Sequence, residues 1–495
     1  MSGSRGLPAA VAAVAVGLSA WWFSGAGRHG TGPEDDPSTS TPPTQKANPK
    51  AKAKAKEKKS HISPALEAAD VVIGCTAASP LAAQAQAHAE CKAQTGAAAA
   101  LRVSKARKNC FGAQSYEAVT EQCAGVARAW SDPDFTHSDS SLVSLSPPDL
   151  RPLTRPAQFE NPLCPPEGWL RDGERGAELK NVKLEWHGPW DICGSKRPLG
   201  TNSRGEKSWL YHTEGDDANE TALLGMDAQD VSQGSLGDCY FLSALALAAT
   251  DSDVAATLID DDLDGKCCYG VSFWIDRRWT MVWVDCYLPC VVSTDAHAKT
   301  RPRLVYASST DRREIWPMVV EKAFAKLHGS YESIGHGGTV AAALQALTGG
   351  TARTLPATQA GKMWSEIMRA VEDPDVLVGA GTRQDASATK DVMCGLVTGH
   401  AYSVLHALAA PDHDGNERRL LLLRNPWGKG EWQGDWSDKS KLWSKNPACK
   451  AAVGDAESHD DDGRFWMEVR ETVLRPHLLT KHDRLPTQAR DERAE

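Results

Sequence analysis

Cys239 stands where the loop Gln233-Gly-Ser-Leu-Gly-Asp meets the run Tyr-Phe-Leu-Ser-Ala-Leu-Ala-Leu-Ala-Ala, a setting in which a cysteine can serve as a nucleophile. The run is apolar at nearly every position, so as a helix it has to be buried on all sides. Cys239 then occupies the helix N-terminus, where unpaired backbone N–H groups and the positive dipole end stabilise a thiolate and lower its pKa. Six residues upstream, Gln233 supplies an amide donor that, with the Cys239 backbone N–H, can bind the oxyanion of a tetrahedral intermediate. Gly234 and Gly237 let a substrate main chain come close.

A thiolate nucleophile needs a proton shuttle. Gly399-His400-Ala-Tyr-Ser-Val-Leu places a histidine at the opening of an alternating apolar strand, which fixes the imidazole at a sheet edge. The run Leu420 to Arg424 reads as the next strand and ends in Asn425-Pro-Trp-Gly. Asp414-Gly415 between them is a turn signal, so the two strands pair as a hairpin and Asn425 comes beside His400, able to accept from its second ring N–H. Trp427 is placed to cover that contact. A transglutaminase-like acyl transferase, which shares the Cys–His pair, would want an aspartate where Asn425 stands.

Taken singly, a buried cysteine is usually packing and a histidine on an apolar strand is usually a core residue. In combination, Gln233-Gly-Ser-Leu-Gly-Asp-Cys, Gly399-His-Ala-Tyr-Ser-Val and Asn425-Pro-Trp-Gly-Lys-Gly-Glu-Trp resemble the three catalytic blocks of the calpain protease core. Trp316-Pro-Met-Val-Val-Glu-Lys-Ala-Phe-Ala-Lys-Leu is similar to that family's long helix between blocks, and Val282 to Pro289 with Leu304-Val-Tyr resemble its intervening strand pair. The likeness runs over roughly residues 160–480. It implies an α+β, papain-like fold of two lobes: a helical one carrying Cys239 and an antiparallel β-sheet one carrying His400 and Asn425. Protein substrates would lie as extended peptides in the cleft between them.

The resemblance also implies calcium dependence. A first site would use Leu223, Gly225, Asp230 and Glu332, and a second Glu431, Asp438, the Asp460 carbonyl and Asp462. The family's further acidic ligand at the second site falls on Arg464, so one good site and a weak or absent second are expected. Tyr240 replaces the tryptophan that usually follows the nucleophile, which is expected to alter a wall of the cleft. No penta-EF-hand domain or β-sandwich is expected after the core. Loss of a triad member would have favoured a catalytically inactive, membrane-tethered scaffold, and none is lost.

The elements that position these residues follow from composition. Residues 1–28 contain the apolar run Leu7 to Phe23, about the minimum for a membrane span, and read as an anchor or signal segment. Residues 29–61 are a Pro/Lys-rich linker too polar to bury a core. Residues 62–130 are Ala-rich with Cys75, Cys91, Cys110 and Cys123, predicting short helices with either two disulfides or free thiols. A Ser/Asp/Pro linker follows at 131–155, then protease lobes at 156–352 and 353–480, and a polar tail at 481–495. Asp260 to Asp264 read as a solvated loop, since they lack the spacing of an EF-hand. Cys267, Cys268, Cys286 and Cys290 read as free thiols on strands. A net charge of −9 argues against nucleic acid as a partner. The seventeen tryptophans read as core and groove packing. The family's habit places the protease on the cytoplasmic side of a membrane anchored through residues 7–23.

Overall fold

The computed structural model describes residues 102–142, 182–202, 204–212, 226–293, 301–354, 360–382, 394–454, 461–469 and 474–480. The apolar start, the Pro/Lys segment, Cys75, Cys91, Leu223, Gly225, Asp460 and the polar tail lie outside them. Among the described residues no helix is long and apolar enough to cross a membrane.

The helices used below are α1 (102–107), α2 (Tyr116–Ala124), α3 (Cys239–Ala249), α4 (Trp316–Leu327), α5 (Tyr331–Gly335), α6 (Val340–Thr348) and α7 (Ala360–Glu372). Alanine and leucine dominate α3, both strong helix formers, and no glycine or proline interrupts it. Every residue from Tyr240 to Ala249 is buried, so no face is left for water. Helix α4 starts with Pro317 in its first turn, where the missing N–H costs nothing. Its Phe324 stacks on Phe241 of α3 with ring centroids 3.9 Å apart. Burying each such ring contributes about 1.5–3 kcal/mol.

In the Cys239 lobe, β2 (Ile259–Asp260), β3 (Cys268–Ile275) and β4 (Arg278–Asp285) form one antiparallel sheet. A second is built from β1 (Val182–His187), β5 (Leu288–Ser293) and β6 (Arg303–Leu304). Val282 to Pro289 is therefore two strand ends joined at Cys286–Tyr287, belonging to different sheets, and the expected strand pair is β5 with β6. The other lobe is a six-stranded antiparallel sheet in the order β7 (Thr351–Thr354), β12 (Leu474–Thr480), β8 (Val376–Thr382), β9 (Ala401–Pro411), β10 (Glu417–Arg424), β11 (Arg464–Glu468). Both faces of β10 are covered. Leu421 and Leu423 pack with Trp364 and Ile367 of α7, whereas Leu420 and Leu422 pack with Trp436, Trp443 and Trp466. A strand buried on both faces needs an unbroken apolar run rather than an alternating one, which is why Leu420–Leu423 is continuous.

Two charge arrangements differ from expectation. Asp260, Asp261 and Asp264 are buried rather than solvated. Arg107 of α1 bonds Asp260 and Asp262, and Arg204 bonds Asp262 and the Asp261 carbonyl, so distant arginines supply the counter-charge that lets the cluster leave water. Residues 131–142, read from composition as the start of a linker, are part of the lobe: Asp132, Phe135 and Leu142 are buried. The Asp132 carboxylate accepts from Lys326 at 2.6 Å and from Gln114 at 2.8 Å. Asp285 accepts from the Asp132 N–H at 2.7 Å and from Lys322 at 2.5 Å. Burial alone would raise Asp285, but Lys322 and His137 beside it hold its carboxyl well below the usual range. Cys110 and Cys123 are free, as are Cys267, Cys268, Cys286 and Cys290.

Asp132→Ala would leave Lys326 buried with only neutral oxygens for company, Gln114 Oε1 at 2.9 Å and the Trp283 carbonyl at 2.8 Å. Breaking a buried pair in this way costs about 3–5 kcal/mol. Urea unfolding of the full chain is expected to show that loss, and a change below about 1 kcal/mol would exclude a structural role for the pair.

Candidate active site

The β9–β10 hairpin sets two of the site residues side by side. Its register pairs Ser403 with Arg424, so His400, just before β9, and Asn425, just after β10, emerge at the same end. His400 Nε2 lies 2.9 Å from Asn425 Oδ1, and both residues are buried. The amide is itself oriented: Asn425 Nδ2 donates to the Gly430 carbonyl at 2.8 Å, and Oδ1 also accepts from the Trp427 N–H at 3.1 Å. With Oδ1 as acceptor, His400 carries its proton on Nε2, which leaves Nδ1 as the ring's proton acceptor. The Trp427 ring lies 4.8 Å from the imidazole, and Tyr402 meets it edge-on at 5.0 Å. Thr382 of β8 fixes the histidine backbone, its hydroxyl accepting from the His400 N–H at 2.9 Å. Gly463 supports the Asn425 side: with φ near 84° its carbonyl accepts from the Asn425 N–H at 2.8 Å, and a Cβ there would lie 2.9 Å from the Lys429 nitrogen.

Cys239 opens α3 and is half-buried, with the backbone N–H of Ala401 near its sulfur. Among the described residues no hydrogen bond joins Cys239 to His400. The pKa lowering expected from the helix N-terminus is overturned: burial pushes the thiol up to about 11, and the Asp238 charge adds to that, against the N–H groups of Ala401 and Tyr240. Burial likewise lowers His400 to about 4, with Asn425 opposing. Desolvation disfavours both charged forms here, so the thiol and the imidazole are each uncharged at neutral pH.

Gln233 is in the neighbourhood but its amide is engaged, donating to the Leu236 carbonyl at 2.6 Å. Its backbone N–H donates to the Pro426 carbonyl at 2.7 Å, which ties the glycine loop to the loop after Asn425. Tyr240 does not form a cleft wall. It is buried with its hydroxyl on the Ile334 carbonyl at 3.2 Å, and a Cβ at Gly338 would lie 2.5 Å from its ring.

Arg424 is a residue that sequence reasoning passed over. It is fully buried and donates to the carbonyls of Gln229 at 2.9 Å and Val231 at 2.6 Å, joining the end of β10 to the Cys239 lobe. The signal available was an arginine closing a four-leucine strand immediately before Asn425. Nothing in the sequence marked Thr382.

The carbonyls that Arg424 holds flank Asp230, one of the residues that the calcium reading singled out. Burial and the nearby Asp227 and Asp311 push the Asp230 carboxyl up to about 6, despite donors from the Asp227 N–H and the Trp316 indole. Glu332 sits in the first turn of α5. A buried carboxylate raised by neighbouring acids, as Asp230 is, suits a hard cation with oxygen ligands. At the second group, burial and Asp438 push Glu431 up to about 7, which also fits a cation. Asp462, however, is paired with Arg464 at 2.6 Å, so one of its acids is already neutralised.

Residues 173–476 match the family model described as calpain family cysteine protease. Calpain-9 of Homo sapiens is 35% identical over 370 residues, covering 72% of this chain and 43% of that protein. The calpain-type cysteine protease DEK1 of Zea mays is 34% identical over 255 residues, 50% of this chain and 11% of that protein. Calpain-B of Drosophila melanogaster is 27% identical over 381 residues, 75% of this chain and 34% of that protein. The chain thus spans less than half the length of each of these relatives.

A thiol at about 11 is ionised in roughly one molecule in several thousand at pH 7.5. Iodoacetamide in the presence of a chelator is therefore expected to label Cys239 at least tenfold more slowly than free cysteine, with the rate still rising above pH 9. Labelling is read at the Cys239 peptide by mass spectrometry. A rate that levels off below pH 8 would show an ion pair with His400 already formed.

Proposed function

We propose that this chain, which belongs to the calpain family of cysteine proteases, is a calcium-dependent endopeptidase that makes limited cuts in protein substrates. The observation that carries the reading is the buried 2.9 Å contact from His400 Nε2 to Asn425 Oδ1, next to the Ala401 N–H that faces the Cys239 sulfur. An oriented imidazole beside a thiol at the mouth of a cleft suits acyl transfer through a covalent intermediate.

In that reaction Cys239 gives its proton to His400 and its sulfur attacks the peptide carbonyl carbon. The oxyanion is held by the Cys239 N–H and by the Gln233 amide, which first has to leave the Leu236 carbonyl. His400 then protonates the leaving amine, and Asn425 keeps its ring aligned throughout. Water, deprotonated by His400, releases the acyl group and restores the thiol. The lobes are residues 156–352, joined by the segment 102–142 packed on them, and residues 353–480, with substrate extended between the two. Apolar residues 7–23 are part of the same proposal, as an anchor that leaves the protease facing the cytoplasm.

Calcium would be held in the first lobe by Asp230 and Glu332, with carbonyls from Leu223 and Gly225, and would supply neutralising charge to that acidic loop. Arg424 links the loop's carbonyls to the strand that ends at Asn425, so a change there is felt at the triad. Glu431, Asp438 and Asp462 would make a weaker second site, because Arg464 competes for Asp462.

Casein cleavage by the full chain, with calcium and with a chelator, tests the activity. Cleavage is expected only with calcium and is abolished in Cys239→Ala. Equal cleavage by that variant would refute the nucleophile, and intact casein under every condition would favour a scaffold that binds without cutting. Calorimetry is expected to resolve one tight calcium site that weakens at least tenfold in Asp230→Asn, whereas Arg464→Glu is expected to strengthen the second. Two equally tight sites in the unaltered chain would contradict the role given to Arg464.

A further inference from the structure

Directly behind the nucleophile the molecule buries two carboxylic acids against each other. Asp238, the residue before Cys239, is fully buried, and Glu321 of α4 is 1% exposed. The helices meet here through one ring pair: Phe241 and Phe324 stack at 3.9 Å, and each acid lies three residues ahead of its helix's ring. Both Glu321 oxygens are turned to the Ala307 N–H, at 2.9 and 3.1 Å. Asp238 stands at the N-cap of α3 without capping it, and neither of its carboxyl oxygens meets a donor among the described residues. An N-cap aspartate usually accepts from a backbone N–H, so this one is aimed elsewhere.

The groups that face the pair are acids or neutral: Cys239 and Tyr240 from α3, Tyr306 from the segment after β6, and Tyr331 from α5, with Glu332 near Tyr306. No lysine or arginine is among the groups that shift either acid. Two carboxyl groups in contact without a cation cannot both ionise. Burial pushes both upward; the Asp238 charge raises Glu321 further, while the hydrogen bond from Glu321 holds Asp238 down to about 7.

We infer that Asp238 and Glu321 share a proton, and that this acid pair is the positioning element that fastens the nucleophile's turn to α4. The inference rests on the peptidase reading for its purpose, though not for its test. Three segments meet at the pair. Ala307 is held by Glu321, Val305 accepts from the Ser235 N–H at 2.9 Å, and a Cβ at Gly234 would lie 2.0 Å from the Tyr306 carbonyl oxygen. The glycine loop with Gln233 is thereby laid along residues 305–307, and the proton between the acids closes that arrangement against α4. Each negative charge the pair gains as pH rises also opposes ionisation of the neighbouring sulfur, so the thiol's titration carries the imprint of the pair.

The test is the rate of iodoacetamide labelling at Cys239 of the full chain from pH 5 to 10, which needs no peptidase activity. The unaltered chain is expected to give a curve shallower than one ionisation, because the thiol's pKa climbs as the pair ionises. Glu321→Gln, whose amide donates to a permanently charged Asp238, is expected to give a simple one-proton curve. Asp238→Asn is expected to do the same at lower pH, since the remaining charge sits on Glu321. In a peptidase assay Glu321→Ala should lose roughly tenfold or more in kcat/KM, and Glu321→Gln should stay within roughly threefold. Superimposable labelling curves for the unaltered chain and both amide variants, each shown folded by thermal melting, would overturn the shared proton. Absence of cleavage with the labelling difference intact would count against the peptidase reading alone.

Discussion

The structure depends on a helix that has no surface to offer water. Because α3 is apolar on every side, both lobes are obliged to enclose it: α4 and α6 from its own lobe, and β9 from the other, where Ser403 donates to the Ser243 carbonyl at 2.9 Å. The cysteine at its N-terminus is carried into that enclosure with it. This has two effects that oppose each other. Enclosure gives the sulfur a fixed address beside Ala401 and His400, and it removes the water that would stabilise a thiolate. In this arrangement desolvation outweighs the helix end, and the thiol and the imidazole rest uncharged.

What could be read from the sequence was what local chemistry specifies. The Asp414-Gly415 turn and the flanking apolar runs fix a hairpin, and a hairpin fixes which residues share its end; hence the His400–Asn425 neighbourhood was legible without coordinates. Helix α4 was legible because its spacing and Pro317 agree. Readings that needed a distant partner were not available. Whether four closely spaced aspartates stay in water turned on Arg107 and Arg204, each far along the chain. Whether Ser131 onward is a spacer turned on Lys322 and Lys326 of α4. The direction of the Cys239 shift and the engagement of the Gln233 amide are likewise outcomes of packing, since the same loop read alone points its donor at the oxyanion.

Between the lobes, the polar links are concentrated near Cys239, His400 and Asn425. Arg424 reaches the carbonyls on either side of Asp230, the Gln233 N–H reaches Pro426, and the Ser232 hydroxyl reaches the Trp427 carbonyl at 3.4 Å. The residues that hold His400 and those that shape the loop before Cys239 are therefore not independent assemblies. Buried donors and acceptors of this sort are costly to leave unpaired, so a relative movement of the lobes has to exchange these bonds as a set.

The belt formed by residues 102–142 bears on how the chain can be divided. Its anchoring points, Arg102 on the Leu347 carbonyl, Asn109 and Phe111 flanking Met281, and Asp132 on Lys326, all lie on parts of the Cys239 lobe remote in sequence. A piece trimmed to begin at the Cys239 lobe's compositional boundary would strip the cover from Trp283 and Met281 and strand an ammonium group in the interior. The smallest unit able to stand by itself thus includes the segment from Arg102, and what composition presents as an appendage is, in physical terms, a wall of the Cys239 lobe.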